Sequence, residues 1–139
     1  MGLHVGNTPV KEVYIGSTPV KEVYVGAQKV WPTSEVYEIS MTGLLGTGDY
    51  HSMLDVTVPA GETWTVTVQG TISIPTNRDN RQPKIIIGSK SFGPFGPTVE
   101  VNVTGTVTSK SQRIAIWTNA SGFADTWGTN FTGTVTIEK

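Results

Sequence analysis

Residues 62–68 read Glu-Thr-Trp-Thr-Val-Thr-Val, and this stretch sets the fold class. In an extended strand, Trp64, Val66 and Val68 fall on one face, and the intervening threonines fall on the other. Alternation of apolar and polar side chains is typical of a strand with one buried and one solvated face. The stretch therefore predicts β-structure rather than helix.

The same period of two recurs along the rest of the chain, and no window shows helical periodicity. Ile114 and Ile116 are predicted to point inward, with Arg113, Ala115 and Trp117 outward. Ile85-Ile86-Ile87 lacks alternation, which favours a strand covered on both faces. Inward positions near the C-terminus are Phe131, Val135 and Ile137. Together with 62–68, the predicted strands are 36–41, 54–58, 70–74, 84–88, 98–104, 112–118 and 131–137. Short alternating strands joined by Gly-, Pro- and Asn-rich turns predict an all-β fold, an antiparallel β-sandwich of jelly-roll or immunoglobulin-like topology.

A ten-residue repeat precedes these strands. Val5–Tyr14 reads Val-Gly-Asn-Thr-Pro-Val-Lys-Glu-Val-Tyr, and Ile15–Tyr24 repeats eight of its ten residues. A third, altered copy runs over Val25–Pro32. The pattern predicts one strand per unit, covering Pro-Val-Lys-Glu-Val-Tyr and the next residue, with turns at Gly-Asn-Thr-Pro and Gly-Ser-Thr-Pro. We expect two regions: residues 1–34 as a β-repeat ribbon for assembly or attachment, and residues 35–139 as the sandwich domain.

A ten-residue unit cannot bury its own apolar face, so the ribbon needs a partner. We expect it to join copies of this chain into a homo-oligomer, with three-fold symmetry as one solution, or to hold the chain to a larger assembly. The predicted assembly interface comprises Val10, Val13, Tyr14, Val20, Val23, Tyr24, Val30 and Trp31.

Composition argues against several classes of protein. The net charge is −1, and charged residues make up 15% of the chain, below the roughly 25% of an average soluble domain. No basic run accompanies an aromatic cluster, so nucleic acid is not an expected partner. No apolar run approaches the length of a membrane span or a signal sequence, and we expect synthesis in the cytoplasm without export by the usual route. Cysteine is absent, so disulfides and thiolate metal sites are excluded.

Catalytic signals are weak. Asp49, His51 and Asp55 lie close in sequence, but one histidine and two aspartates in a loop do not specify a metal or acid–base site. A glycan hydrolase would need paired carboxylates, for which Asp49 and Asp55 are candidates. No nucleophile elbow, phosphate loop or dinucleotide motif is present. We therefore expect a protein that is not an enzyme and holds neither metal nor cofactor.

Aromatic residues of the C-terminal third are candidate surface contacts. Trp117 falls on the outward face of its strand, and Phe123 and Trp127 lie in a connector rich in Gly, Ala, Asp and Thr. Flat rings beside polar groups are what glycan binding uses, since the ring stacks on the sugar and the polar groups take its hydroxyls. The alternatives are an oligomer or assembly interface and packing within the chain.

The run Val-Gly-x-Thr-Pro-Val-Lys-x-Val-Tyr-Val-Gly-x-x-x-Val-Trp-Pro, over Val5–Pro32, resembles the N-terminal repeats of small structural proteins of tailed bacteriophages. These proteins occur especially in phages of actinobacteria and are often labelled minor tail proteins. The resemblance implies a non-enzymatic minor tail protein located in the virion, whose repeats contact other virion proteins and whose β-domain is exposed. A capsid decoration protein or head fibre, and a module that binds a host-surface glycan, are the alternatives.

Overall fold

The structure, a computed structural model, describes residues 4–5, 7–26, 28–31, 34–46, 48–74, 82–118 and 128–139. All twelve elements in these ranges are β-strands, and every strand pair is antiparallel. The predicted all-β, antiparallel fold class is confirmed. None of the described residues forms a helix long and apolar enough to cross a membrane.

The N-terminal repeats form three short hairpins, which we call the repeat hairpins. In each hairpin, a residue that precedes a glycine in the sequence pairs with the residue three positions later: Val5 with Thr8, Ile15 with Thr18 and Val25 with Gln28. Between Ile15 and Thr18 the connection is the two-residue turn Gly16-Ser17. The strands are β1 His4–Val5, β2 Thr8–Pro9, β3 Tyr14–Ile15, β4 Thr18–Pro19, β5 Val23–Val25 and β6 Gln28–Trp31.

The location of the strands within each unit differs from the sequence prediction. The segment was predicted as strand from proline to tyrosine, but residues 10–13 form no strand, and the paired residues flank the glycine instead. Gly16 and Gly26 have φ of +63° and +62°, the left-handed conformation that a tight hairpin turn requires. The turn chemistry of Gly16-Ser17 therefore decided the pairing of β3 with β4, and Gly16 joins two strands rather than ending one.

Six strands, four of them of ten residues or more, build the second region. They are β7 Ser34–Leu44, β8 Asp49–Ser73, β9 Lys84–Ile87, β10 Lys90–Phe92, β11 Thr98–Thr118 and β12 Thr129–Glu138. Their hydrogen-bonded order is β10-β9-β11-β8-β12-β7. Several strands predicted as separate, such as 54–58 and 62–68, are parts of one long strand.

β8 and β11 pair along their whole length and turn a corner together. Four residues of β8, 59–62, lie between the pairs Val58–Lys110 and Thr63–Thr108, where β11 has only Ser109. Pro59 supplies no N–H, and Gly61 has φ of +83°, so this stretch suits a bend in the ladder. Each long strand therefore contributes one half to each of two sheets.

Sheet A consists of β7, β12, residues 63–73 of β8 and residues 98–108 of β11. Sheet B consists of residues 49–58 of β8, residues 110–118 of β11, β9 and β10. Counted as eight strands in chain order, sheet A runs 1-8-3-6 and sheet B runs 2-7-4-5. This is the strand arrangement of a jelly roll, one of the two predicted topologies.

The core lies between the sheets. Ile87 of sheet B pairs with Ile114, and a Cβ placed on Gly105 of sheet A would lie 3.0 Å from the Ile87 Cβ. Ile87 thus lies beside Ile114 of one half of β11 and opposite Gly105 of the other half, so the two halves lie in facing sheets. Every side chain predicted to point inward on 112–118 and 131–137 is buried: Ile114, Ile116, Phe131, Val135 and Ile137. Val66 and Val68 are fully buried as well, and Trp64 is half-buried against them.

Candidate functional site

The first candidate surface is the apolar side of the repeat hairpins. The residue before each turn, Val5, Ile15 or Val25, is 76%, 77% or 69% exposed, respectively. These side chains recur every ten residues, so they form a regular apolar series. Each described hairpin strand pairs only with its own hairpin partner. The segment thus presents large apolar side chains to solvent at a fixed repeat.

The predicted assembly residues lie around this series. Tyr14 and Tyr24 are exposed, and four of the predicted valines are half-buried: Val10, Val13, Val20 and Val23. Val30 and Trp31 belong to β6, and their side chains lie outside the described residues. Val5, Ile15 and Val25 themselves were not among the predicted residues. Their position immediately before a Gly-x turn is the sequence signal that would have identified them.

A hydrogen bond between tyrosine and glutamate recurs in the repeats. The Tyr14 hydroxyl donates to Glu12 Oε2 over 3.1 Å, and the Tyr24 hydroxyl donates to Glu22 Oε2 over 2.9 Å. The bond to Glu12 and the negative charge of that carboxylate raise the pKa of Tyr14, because both favour the protonated phenol. The contact orients the exposed ring along its own strand.

The same tripeptide, Glu-Val-Tyr, occurs again at the start of the sandwich, at residues 35–37. Tyr37 also donates a hydrogen bond to the glutamate two residues before it, Glu35. Here, however, the tyrosine ring packs against the hydrophobic core. The comparison shows that a tyrosine in this tripeptide can be half-buried when a surface lies against it.

The second candidate surface is a depression on the outer face of sheet B, which we call the sheet B depression. Tyr50, Trp117 and Lys84 are register partners on three adjacent strands, so their side chains stand in one row across the sheet. Arg113 lies on the same face, four residues before Trp117 on β11. The row and the arginine border an open cavity of about 540 Å³.

Two cations lie over the two aromatic rings of the depression. Lys84 Nζ is 5.2 Å from the centroid of Trp117, and Arg113 Cζ is 5.0 Å from the centroid of Tyr50. Both distances fit cation–π contacts, which hold the rings and the charges in place. Neither cation forms an ion pair with another described residue.

The floor of the depression is small and apolar. Ile86 and Ala115 are register partners on β9 and β11; Ala115 is fully buried, and Ile86 is half-buried and lines the cavity. Ala115 was predicted to point outward, and the larger side chains around it on that face account for its burial. Partial cover of Ile86 is also what the unbroken Ile85-Ile86-Ile87 run favoured. Polar groups complete the lining: Ser89, Ser91 and Gln112.

Sequence reasoning found only part of this site. Trp117 lies on the outer face as predicted and is half-buried. Phe123 and Trp127 lie outside the described residues. Tyr50, Lys84 and Arg113 were missed, because only strand register brings these three distant segments together.

The weak catalytic candidates do not converge in the described residues. His51 Nε2 lies 2.9 Å from the Leu45 carbonyl oxygen and 3.3 Å from Thr118 Oγ1, which are structural contacts. Asp49 and Asp55 stand six residues apart on β8, so roughly 20 Å of extended strand separates them. This separation exceeds the range for a glycosidase carboxylate pair. No group of three or more His, Cys, Asp or Glu residues able to hold a metal occurs in the described residues.

Neither a scan of protein-family models nor a search of curated proteins gives a match to this chain. A search of solved structures returns the crystal structure of the infectious bursal disease virus VP2 subviral particle, with a TM-score of 0.49 and 11% sequence identity. The alignment covers 94% of this chain and 37% of that chain. This chain therefore spans little more than a third of the length of the viral protein.

Proposed function

We propose that this chain is a non-enzymatic structural protein of a tailed-bacteriophage virion, specifically a minor tail protein. In this proposal, the repeat hairpins join copies of the chain into an oligomer, and the jelly roll is displayed on the outside. The observation that carries the proposal is the apolar series of Val5, Ile15 and Val25, exposed by 69–77% at a ten-residue spacing. The resemblance of Val5–Pro32 to phage repeats supports the assignment to a virion.

The energetics of burial support association through the hairpins. Full burial of a valine or isoleucine side chain is worth about 1.5–3 kcal/mol, and three such side chains per chain remain in water. The isolated hairpins are too small to bury them, since a two-stranded hairpin is marginally stable at best. Symmetric association would place the three series of a trimer around one shared axis.

The jelly roll supports the proposal because its core does not need the repeats. Among the described residues, all side chains of the buried hydrophobic cluster come from the stretch between Met53 and Ile137. The described hairpins pair only internally. The repeats are therefore available for contacts between chains.

The proposed oligomer can be tested with a triple variant, Val5→Thr, Ile15→Thr and Val25→Thr. Threonine keeps the branched shape and strand preference but adds a hydroxyl, so the apolar contact should weaken while the hairpins remain. We expect the unchanged chain to be an oligomer and the variant a monomer by light scattering after size exclusion. Val36→Thr is the matched control, since Val36 is 61% exposed on the sandwich, and it should leave the oligomer intact. A triple variant that keeps the oligomeric mass would contradict the proposal.

The position on the virion needs a separate measurement. An antibody against residues 34–139 should label the tail or its tip in electron micrographs of the phage particles. Labelling spread over the head would instead support the capsid decoration or head-fibre alternative, and particles without any label would contradict a virion role.

A second candidate function is binding of a glycan on the host surface. The sheet B depression favours it, because Trp117 and Tyr50 offer aromatic rings and Ser89, Ser91 and Gln112 offer hydrogen-bonding groups in one open cavity. Cavities of this size, about 540 Å³, fall in the range of small-molecule sites.

A further inference from the structure

We propose that the sheet B depression binds an acidic saccharide, a chain of sugar rings that each carry a carboxylate. The proposal rests on the second candidate function and specifies its ligand. It is independent of the oligomer, because it concerns sheet B and not the repeat hairpins.

The charge of the depression is the first observation. Lys84 and Arg113 give its lining two positive charges, and none of the described residues that line it carries a carboxylate. The whole chain has a net charge of −1, so the lining of the depression is opposite in sign to the chain as a whole. Such a local charge attracts an anion.

The absence of internal neutralisation strengthens this argument. Asp55 is the register partner of Arg113, yet no ion pair joins Arg113 to it or to any other described residue. The guanidinium remains available for two parallel hydrogen bonds to a carboxylate. Lys84, on the adjacent strand β9, adds a second positive charge to the lining.

Shape and polarity select a sugar over a simple ion. Trp117 and Tyr50 border the cavity with flat rings, and Ile86 forms an apolar floor. Carbon-bound hydrogens on one face of a sugar ring match such surfaces. Gln112 lines the cavity beside Gly88, since a Cβ placed on that glycine would lie 2.5 Å from Gln112 Oε1. An amide at this position can exchange hydrogen bonds with a sugar hydroxyl.

The alternative is that the two cation–π contacts only stabilise the sheet. Lys90 provides the comparison, because its Nζ lies 4.9 Å from the centroid of Phe92 without lining the depression. If both contacts are only structural, substitution of Lys84 should change the affinity for a saccharide no more than substitution of Lys90 does.

The test is an NMR titration of the full chain with trigalacturonate and with a hyaluronan tetrasaccharide. Fully methyl-esterified trigalacturonate is the neutral control of equal shape, and inorganic phosphate is the control for a simple anion. We expect saturable shifts with at least one acidic saccharide below about 10 mM, and affinity at least about tenfold weaker for both controls.

Variants assign the binding to the depression. Lys84→Met with Arg113→Met removes the charges, and Trp117→Leu removes the flat ring but keeps an apolar side chain. Each should weaken binding of the acidic saccharide by about tenfold or more, while Lys90→Met should not change it. Thermal unfolding by circular dichroism checks that each variant is folded. If a variant is unfolded, Arg113→Lys replaces it, and this change should still weaken binding because lysine cannot make the bidentate contact.

Three results would overturn the proposal. These are no saturable shift with either acidic saccharide, equal binding of the methyl ester or of phosphate, and folded variants of the depression that bind as well as the unchanged chain. Because the oligomer is measured separately, failure here leaves the assembly proposal standing, and the reverse also holds.

Discussion

Two glycines face each other in the middle of sheet A. Gly70 of β8 and Gly133 of β12 are register partners on the core face. A Cβ on Gly133 would lie 2.1 Å from the Gln69 carbonyl oxygen, and a Cβ on Gly70 would lie 3.0 Å from Cζ of the buried Phe131. The absent side chains thus allow two backbones and one aromatic ring to occupy the same small space.

This close approach makes Gly133 a sensitive position. Gly133→Ala should lower the free energy of unfolding by about 1–3 kcal/mol, because the new methyl group meets backbone atoms rather than a movable side chain. Gly96→Ala is the matched control, since no atom lies within 4 Å of its Cβ and the change should stay within about 0.5 kcal/mol. Urea unfolding measures both variants, and equal stability of the two would show that the strands are not packed this closely.

At the scale of elements, the chain carries enough information to predict which residues face the core. Each alternating segment placed its inward side chains correctly, because a one-residue error would have exposed an entire apolar face. Ala115 is the instructive exception. It lies on the outer face as predicted, but neighbouring strands bury it, and periodicity along one strand does not report the bulk of its neighbours.

The bounds of the elements were harder to predict than their faces. Pro59-Ala60-Gly61 reads as a turn between two strands, yet β8 continues through it, because β11 pairs with β8 on both sides of residues 59–62, which themselves have no partner on β11. In the repeats, local turn chemistry at glycine outweighed the apolar pattern of the ten-residue unit. Both differences arise where pairing between strands, rather than composition, fixes the ends of an element.

The same limit applies to the candidate site. Trp117 was identifiable because an aromatic residue at an outward strand position is unusual. Tyr50, Lys84 and Arg113 come from separate parts of the chain, and only the jelly-roll register places them around one cavity. The sequence therefore predicted the kind of surface but not its extent.

At the scale of the whole molecule, the chain combines a repeat segment that exposes its apolar residues with a jelly roll that buries its own. Val66, Ile85 and Phe131 in the core of the jelly roll have no solvent exposure, whereas Ile15 in the repeats is 77% exposed. We infer that the two regions serve different purposes. The jelly roll provides stability and display, and the repeat hairpins provide association between chains. The account therefore predicts that folding and assembly are separable.

The most direct test compares the full chain with the fragment 34–139 by light scattering after size exclusion, with circular dichroism to monitor folding. The account predicts an oligomer for the full chain, at three times the chain mass for three-fold symmetry, and a monomeric fragment that unfolds cooperatively. A fragment that keeps the oligomeric mass, or a full chain that is monomeric at micromolar concentration, would contradict the claim that the repeats assemble this protein.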